Sequence, residues 1–267
     1  MAIRLVAMDL DDTLLRDDWT VSPRAMQAIR AAQKQGVKIT IATGRMALSA
    51  KPYVEQLGVD IPVITYHGAL VSQVLSGEIL FRRAIPSQLA WEMVQDIAAR
   101  GFYAQVYLRE RVVVPKATEW TQEYAKIAKV EIEEVDLEKV LAAEPEGVEK
   151  ILAIDEEPKL DSLAPALIER YGREIHFTKS KPFFLEMTEI SVNKGVALAA
   201  LAERFGIARE EVMAIGDSLN DLEMIRYAGL GVAMGNARPE VRKVADVITA
   251  TNQEDGVAQA IERYVLR

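Results

Sequence analysis

Short apolar runs alternate with amphipathic stretches over the first 80 residues of the chain. Residues 3–8 form a continuous apolar run that ends in acids, which is typical of a strand buried on both faces of a parallel sheet. Similar runs occupy 37–42 and 61–65. Helical patterns separate the three runs, one between Ser22 and Gly36 and the other over 47–57. This alternation predicts one half of a doubly wound parallel sheet.

The pattern changes after residue 82. A helix is predicted over 89–99, and two short strands at 102–108 and 112–114 are close enough along the chain to pair in antiparallel fashion. The other elements predicted in this stretch are strands at 148–154, 175–177 and 183–187 and a helix at 160–171. The mixture is typical of α+β structure, so residues 83–188 are predicted to be an inserted domain.

Beyond residue 188 the first pattern returns. A helix is predicted over 194–205, and the apolar run 212–215 predicts another buried strand. We therefore expect residues 1–82 and 189–267 to form one discontinuous, Rossmann-like α/β domain with a parallel sheet.

Composition narrows the class of protein. The 267 residues contain no cysteine, which excludes disulfides, a thiolate nucleophile and Cys-ligated metals, and fits a reducing cytoplasm. A net charge of −8 disfavours nucleic acid and anionic membranes as partners. No segment has the roughly 18 apolar residues of a membrane span. Asp9 interrupts the first apolar run too early for a signal peptide, so a cytoplasmic protein is expected.

Two polar sequences directly follow predicted strands, at the sheet edge where ligands bind in open α/β folds. The first is Asp9-Leu10-Asp11-Asp12-Thr13-Leu14, in which Asp9 is ionised at neutral pH and suited to nucleophilic attack. The second is Thr43-Gly44-Arg45, in which a hydroxyl and close backbone N–H groups suit an anion. The ordinary alternatives are a solvated turn for the first and, for the second, a strand-to-helix turn capped by Thr43.

Two further sequences have a similar character. Lys194 lies just inside a helix whose N-cap is predicted to be Asn193, where the helix dipole disfavours a cation. A solvated lysine is the ordinary alternative. The sequence Gly216-Asp217-Ser218-Leu219-Asn220-Asp221 offers oxygen ligands that suit Mg²⁺. An Asx turn would explain Asn220 but not Asp217.

Charge links the four sequences. Asp9, Asp11, Asp217 and Asp221 together with a phosphate group, which carries about −1.5 to −2 at pH 7, would need cations to coexist. Mg²⁺ and Lys194 are the available cations. The set therefore indicates phosphoryl transfer.

These residues resemble the four motifs of the haloacid dehalogenase superfamily, and within it the Cof-type phosphatases with a large α/β cap. The four motifs occur in the expected order, and the later segments 232–237 and 252–258 are also similar to that subfamily. The resemblance implies a haloacid dehalogenase core with an inserted cap at 83–188. It also implies a Mg²⁺-dependent phosphatase of a small phosphorylated metabolite, either a sugar phosphate or a phosphorylated cofactor.

The resemblance also implies a role for each motif residue. Asp9 would form an aspartyl-phosphate, Asp11 would act as general acid and base, and Lys194 would orient Asp9. The predicted metal ligands are Asp9, the backbone carbonyl of Asp11, Asp217 and, through water or hydrogen bonds, Asp221. The predicted substrate contacts are Thr43, Gly44, Arg45, Asn220 and His67.

Two positions depart from the family pattern. Asp12 stands where many members have glycine, and His67 where relatives often carry asparagine. His67 is predicted either to touch the leaving group or to be a loop histidine with no task. The segment before Lys194 is shorter than expected, which leaves the start of that helix open. Candidate cap contacts to the substrate are Arg109, Lys181 and Phe183.

Other function classes stay open at this point. A phosphomutase would share nearly all of these residues and would return the phosphoryl group to another hydroxyl of the bound sugar. A receiver-like phospho-switch also clusters acids, Thr and Lys at a sheet edge. A catalytically silent binding protein is the remaining alternative. The leaving group and the oligomeric state are left open by the sequence.

Overall fold

The computed structural model describes residues 2–266, which form fourteen strands and ten helices. The strands β1 to β14 are Leu5–Met8, Lys38–Ile41, Val63–Thr65, Leu70–Gln73, Glu78–Arg82, Tyr103–Leu108, Arg111–Val114, Ile132–Glu134, Lys150–Ile154, Ile175–Thr178, Phe184–Glu189, Val212–Gly216, Leu230–Ala233 and Val247–Ile248. The helices α1 to α10 are Pro23–Lys34, Ala47–Leu57, Ser87–Ala99, Glu119–Ala128, Leu137–Ala142, Glu157–Tyr171, Lys194–Arg204, Leu222–Tyr227, Pro239–Val244 and Gly256–Tyr264. No helix within 2–266 is long and apolar enough to cross a membrane.

A five-stranded parallel sheet in the order β14-β13-β12-β1-β2 forms the centre of the first domain. β1 lies between β2 and β12, with Met8 opposite Ile41 and Ile215. All four residues of β1 are buried, as its apolar sequence predicts. Because the strands are parallel, the segments that follow β1, β2 and β12 emerge at one edge of the sheet.

The third predicted strand differs from its prediction. β3 meets the parallel sheet only through a bridge between Ile64 and Ala42, and it otherwise pairs in antiparallel fashion with β4, which in turn pairs with β5. The hairpin of β4 and β5 was not predicted. The chain reverses at once after β3, in the turn Tyr66–Gly68, and a connection this short permits only antiparallel pairing.

The inserted segment contains a six-stranded sheet in the order β10-β11-β9-β6-β7-β8. The predicted antiparallel pairing of β6 with β7 is confirmed, with Tyr107 opposite Val112. The elements α4, β8 and α5, between residues 119 and 142, were not predicted. β8 has two glutamates among three residues and no buried position, so no hydrophobic pattern marks it.

Two hydrophobic cores support the predicted division of the chain. The first draws its buried members from 3–71 and 197–261, and the second only from 85–187. A smaller third cluster lies between them and includes Tyr66 from the first segment and Tyr107 and Phe184 from the inserted one. The boundaries at 82/83 and 188/189 remain a prediction, with which this distribution agrees.

Candidate active site

Lys194 lies between two carboxylates. Its Nζ is 2.6 Å from Oδ1 of Asp9, which follows β1, and 2.6 Å from Oδ1 of Asp221, which lies beyond β12. The lysine is fully buried, so it is not a solvated helix residue. Burial by itself would lower the pKa of Lys194, but Asp221 and Asp9 raise it above its usual value and keep the ammonium charged.

An N-cap hydrogen bond shows where the helix that carries Lys194 begins. Asn193 accepts a hydrogen bond from the backbone N–H of Val196 (2.8 Å), as expected of an N-cap, and α7 begins at Lys194. A Cβ at Gly195 would lie 2.5 Å from the carbonyl oxygen of Glu223, so glycine lets α7 approach α8 closely. The two carboxylates offset the unfavourable position of Lys194 at the positive end of the helix.

Three aspartates form a compact acidic cluster. Asp9, Asp217 and Asp221 each place a carboxylate oxygen within 4.8 Å of the others, and all three side chains are buried. Burial raises the pKa of Asp9 well above its usual value, an effect that Lys194 opposes and Asp221 reinforces. Burial, with help from Asp221, raises the pKa of Asp217 to about 7. One ammonium therefore does not suffice to keep all three carboxylates ionised, and a further cation would be needed for that.

Neighbouring donors hold the cluster in shape. Asp217 accepts hydrogen bonds from the hydroxyls of Thr13 (2.7 Å) and Ser218 (2.9 Å). Asp221 accepts through Oδ2 from the backbone N–H groups of Asp217 (2.9 Å) and Ser218 (3.0 Å), so the loop wraps around its carboxylate. A Cβ at Gly216 would lie 2.5 Å from the Asp221 side chain, which explains the glycine. A set of oxygen ligands under net negative charge suits a hard divalent cation.

Asp11 lies outside this cluster. Its carboxylate forms two hydrogen bonds with the guanidinium of Arg45, from Nε to Oδ2 at 2.8 Å and from Nη2 to Oδ1 at 2.7 Å. The guanidinium also lies over the rings of Trp19 and Tyr53, at 5.0 and 5.3 Å from their centroids. Arg45 is thus neither a surface residue nor free, and sequence reasoning did not foresee its pairing with Asp11.

The Thr43–Arg45 segment is held by the turn that follows β3. The backbone N–H of His67 donates to Thr43 O (3.0 Å), and that of Tyr66 donates to Arg45 O (3.0 Å). The Thr43 hydroxyl accepts from the N–H of Arg45 (3.1 Å), as in a turn, but it does not cap the next helix, whose N-cap is Met46; its own hydrogen is left for an anion. A Cβ at Gly44 would lie 2.2 Å from the His67 ring, so glycine here makes room for the imidazole.

His67 is buried in contact with the inserted segment. Its Nε2 is 2.7 Å from Oε1 of Glu186 in β11, and its Nδ1 is 3.2 Å from Nδ2 of Asn220. Lys150 in β9 donates to the same Glu186 oxygen (2.9 Å) and to the backbone carbonyl of Gly44 (2.8 Å). His67 is therefore not a loop histidine without contacts.

A cavity of about 70 Å³ lies between the two parts of the chain. The lining residues from the first domain include Asp9, Asp11, Trp19, Gly44, Arg45, Ser49 and Asn220. Those from the inserted segment include Tyr124, Lys150, Lys181, Phe184 and Glu186. The cavity thus joins residues from all but the third of the four sequence motifs, and Lys194 lies directly behind Asp9.

The three residues that were predicted to contact the substrate from the inserted segment lie in different places. Lys181 lines the cavity and forms an ion pair with Asp12. Phe183 lines a separate apolar pocket of about 410 Å³, and Arg109 pairs with Glu144 and Glu146 away from the cavity. Asp12 has φ of 60°, a conformation that glycine adopts without cost, which accounts for the glycine that many relatives have there.

Thr13, Lys150 and Glu186 were not among the predicted site residues. Thr13 lies within the first motif and could have been included on that basis. Lys150 begins the otherwise apolar strand β9, Glu186 lies between Leu185 and Met187 in β11, and both are 2% exposed. A charged residue inside an apolar strand run is seldom buried without a partner, so this was the available signal.

The later segments of the chain hold the first motif. Asn236 donates to the backbone carbonyl of Asp12 (2.7 Å), and Asn252 donates to that of Leu15 (2.9 Å). The two asparagines are themselves linked, because the N–H of Asn252 donates to Oδ1 of Asn236 (3.0 Å). The similarity of these segments to the Cof-type subfamily thus has a structural basis.

A model of the haloacid dehalogenase-like hydrolase family matches residues 6–261. The chain belongs to this family. Among curated haloacid dehalogenase-like relatives, a 5-amino-6-(5-phospho-D-ribitylamino)uracil phosphatase of Bacillus subtilis is 33% identical over 264 residues, which cover 99% of this chain and 96% of the relative. A pyridoxal phosphate phosphatase of Escherichia coli is 26% identical over the whole of both chains.

A solved haloacid dehalogenase-like hydrolase from Bacteroides thetaiotaomicron has the same fold as this chain. It superposes with a TM-score of 0.86 at 32% identity, over 98% of this chain and 99% of the other. The expected α/β fold with a parallel core sheet is therefore confirmed. Because the relatives are phosphatases, the chain is a phosphoric monoester hydrolase of the haloacid dehalogenase family, which decides among the function classes that the sequence left open.

Proposed function

We propose that the chain is a Mg²⁺-dependent phosphatase of small phosphorylated metabolites that works through an aspartyl-phosphate on Asp9. The observation that carries the proposal is the position of the Asp9 carboxylate, which lines the cavity and is held at Oδ1 by the buried ammonium of Lys194. A carboxylate fixed in this way is oriented before substrate arrives, and the ammonium screens its charge from an approaching phosphate.

The proposed reaction has two displacements. A carboxylate oxygen of Asp9 attacks phosphorus, the bond from phosphorus to the leaving oxygen breaks, and Asp11 gives that oxygen a proton. Water then attacks phosphorus, Asp11 takes up the proton of this water, and the bond between Asp9 and phosphorus breaks to release phosphate. Arg45 holds both oxygens of Asp11, so proton transfer requires that pairing to loosen when substrate binds.

The acidic cluster fits a magnesium ion. We propose Asp9, the backbone carbonyl of Asp11 and Asp217 as its ligands, with Asp221 held nearby by Lys194 and by two backbone N–H groups. When bound, Mg²⁺ supplies positive charge that draws the phosphate to the carboxylates and neutralises its oxygens. Thr43, Gly44 and Asn220 are proposed to donate hydrogen bonds to the phosphate.

The cavity favours a leaving group with a planar ring. The rings of Trp19, Tyr124 and Phe184 are among the residues that line the cavity and offer flat apolar surfaces for a ring. Two relatives act on phosphorylated compounds that contain a uracil or a pyridine ring. We therefore place a phosphorylated ring compound, such as a cofactor or its precursor, ahead of a simple sugar phosphate.

The cavity also implies that the inserted domain moves. A volume of about 70 Å³ is well below the roughly 300–1,000 Å³ that is typical of small-molecule pockets. We propose that 83–188 is a cap that opens to admit the metabolite and closes to exclude water during the reaction.

The test is phosphate release from p-nitrophenyl phosphate and from a panel of phosphorylated metabolites, with Mg²⁺ or with EDTA. We expect Asp9→Asn to lower kcat by about 10³-fold or more, because the amide is a poor nucleophile. Asp60→Asn, at an exposed carboxylate, is the matched control. Full activity of Asp9→Asn, or activity that resists EDTA, would contradict the proposal.

A further inference from the structure

A buried polar network joins the inserted segment to the phosphate side of the cavity, and only one of its members, Asn220, has a role in the proposed chemistry. Its members are His67 and Asn220 from the core and Lys150 and Glu186 from the cap, and none is more than 5% exposed. Lys150 also reaches the backbone carbonyl of Gly44 (2.8 Å). Buried ions on this scale are costly unless each is paired, so the partners of each atom decide what the network does.

In the inserted segment, the side chains of Lys150 and Glu186 each have several protein partners. The ammonium of Lys150 donates to Glu186 and to Gly44 O, and it lies 4.4 Å from the centroid of the Tyr107 ring. Glu186 accepts at Oε1 from Lys150 and at Oε2 from the backbone N–H of Ser180 (3.1 Å). Both groups are therefore held by protein partners, and one N–H of Lys150 is left beyond its two hydrogen bonds.

These contacts determine which nitrogen of His67 carries the proton. Glu186 is a carboxylate and can only accept, so Nε2 of His67 must be the protonated nitrogen. Burial lowers the pKa of His67, although Glu186 opposes this, which favours the neutral ring. In a neutral ring with the proton on Nε2, Nδ1 is a bare lone pair that can only accept.

The lone pair on Nδ1 in turn fixes the amide of Asn220. With its nitrogen 3.2 Å from Nδ1, the amide presents its NH₂ group to the imidazole. Rotating the amide would bring its oxygen against the lone pair of Nδ1, which is repulsive. One N–H of Asn220 is thus bound to His67 and the second remains for the cavity that Asn220 lines. Oδ1 of Asn220 is buried and has no donor among the described residues.

We propose that His67 is a positioning residue through which the cap carboxylate of Glu186 holds the Asn220 amide with its N–H toward the phosphate. The inference rests on the proposed function, because it takes Asn220 as a phosphate ligand. When the cap is open, Glu186 is withdrawn, His67 is free to take either tautomer, and the amide loses its fixed orientation. Closure of the cap therefore tightens phosphate binding.

The chain offers two substitutions that separate the nitrogens of His67. Asparagine places its amide at the position of Nδ1 and can still accept from Asn220, whereas glutamine reaches the position of Nε2 and keeps only the link to Glu186. With p-nitrophenyl phosphate as substrate and inorganic phosphate as competitive inhibitor, we expect His67→Asn to keep the inhibition constant within about threefold. We expect His67→Gln to raise it about tenfold, which corresponds to about 1.4 kcal/mol.

The tautomer itself is measurable without turnover. The chain has only two histidines, so ¹⁵N spectra of the imidazoles give two sets of signals, and His176→Gln assigns them. We expect His67 of the wild-type protein at pH 7.5 to be neutral with the proton on Nε2. A proton on Nδ1, or on both nitrogens, would overturn the inference.

The outcomes separate this inference from the proposed function. If the wild-type protein hydrolyses p-nitrophenyl phosphate but His67→Gln and His67→Asn bind inorganic phosphate equally well, the positioning role is wrong and the phosphatase stands. Thermal melts of both variants show whether folding is intact. If Asp9→Asn retains full activity, the proposed function fails whatever the tautomer of His67.

Discussion

Lys194 is the residue on which the acidic cluster depends most. It is fully buried and its ammonium lies 2.6 Å from each of two carboxylates that would otherwise face one another. Its position in the first turn of α7 runs against the helix dipole, and the structure gives the reason for that departure. A cation in the first turn of a helix is locally unfavourable, and here two carboxylates from distant parts of the sequence stabilise it.

Replacing Lys194 with methionine keeps most of the volume and removes the charge. We expect the free energy of unfolding to fall by about 3–5 kcal/mol, because the substitution leaves buried carboxylates without their partner. We also expect kcat to fall by about 10²-fold or more, because Asp9 loses its orienting donor. Urea unfolding and steady-state hydrolysis of p-nitrophenyl phosphate measure the two effects.

Lys34→Met provides the control for this substitution, because Lys34 is exposed on α1. It should change stability by no more than about 0.5 kcal/mol. If Lys194→Met were as stable and as active as that control, the interpretation of the Asp9–Lys194–Asp221 contacts would be wrong.

Among the secondary-structure elements, the turn between β6 and β7 has an unusual backbone and contacts the first turn of α2. Both of its central residues, Arg109 and Glu110, have positive φ, at 48° and 63°, although neither is glycine. Glu110 accepts hydrogen bonds from the first backbone N–H groups of α2, at Ala47 (3.3 Å) and Leu48 (2.5 Å), and from the Tyr66 hydroxyl (2.8 Å). A turn of the inserted segment, with two non-glycine residues at positive φ, thus supplies the acceptor for the N-terminus of α2, the helix that follows Thr43–Arg45.

We expect Glu110→Ala to lower the free energy of unfolding by about 1–2 kcal/mol, because a helix N-terminus loses a charged acceptor. The amide hydrogens of Ala47 and Leu48 should exchange with solvent faster than in the wild-type protein. Hydrogen exchange measured by NMR checks this directly. Glu55→Ala, at an exposed position near the other end of α2, should leave those two amides unchanged, and equal protection in both variants would contradict the prediction.

On the scale of the whole molecule, two hydrophobic cores are joined by polar contacts as well as by the third cluster. Lys150 and Glu186 reach Gly44 and His67, and the Ser218 hydroxyl, which donates to Asp217, lies 3.2 Å from the backbone carbonyl of Ser180. Burial alone would raise the pKa of Glu186, but His67 and Lys150 lower it below its usual value. Stability across the junction of core and cap is therefore linked to pH.

The sign follows from the lowered pKa. Glu186 contributes stability that is fully present above its unfolded pKa of about 4.5 and is lost as the pH falls toward the lower folded value. We expect the free energy of unfolding to fall more steeply between pH 6 and 3.5 in the wild-type protein than in Glu186→Gln. Urea unfolding at several pH values measures the slopes. Glu203→Gln, at an exposed carboxylate, should keep the wild-type slope, and an identical slope in Glu186→Gln would show that this carboxylate is not the source.

The sequence predicted best those strands whose side chains are almost all buried. β1 and β12 are apolar and buried throughout, β2 is buried at every position except Lys38, and the three form adjacent strands of the core sheet. The hairpin of β4 and β5 was missed because β5 is largely exposed and its pattern is weak. The short strand β8 and the helix α5 were also missed. They lie in an acid-rich stretch with few buried positions, such as Leu137 and Leu141, so no clear hydrophobic period is visible there.

Local sequence was enough to predict the α/β class, the inserted segment and the four motifs, because hydrophobic period and polar residues at strand ends are local properties. The partners of the motif residues come from the tertiary structure. Arg45 binds Asp11, Gly44 makes room for His67, and Glu186 reaches across from the cap, in contacts that span 34, 23 and 119 positions of the chain. Such pairings depend on which surfaces the packed sheets bring together, and no periodicity along the chain encodes them.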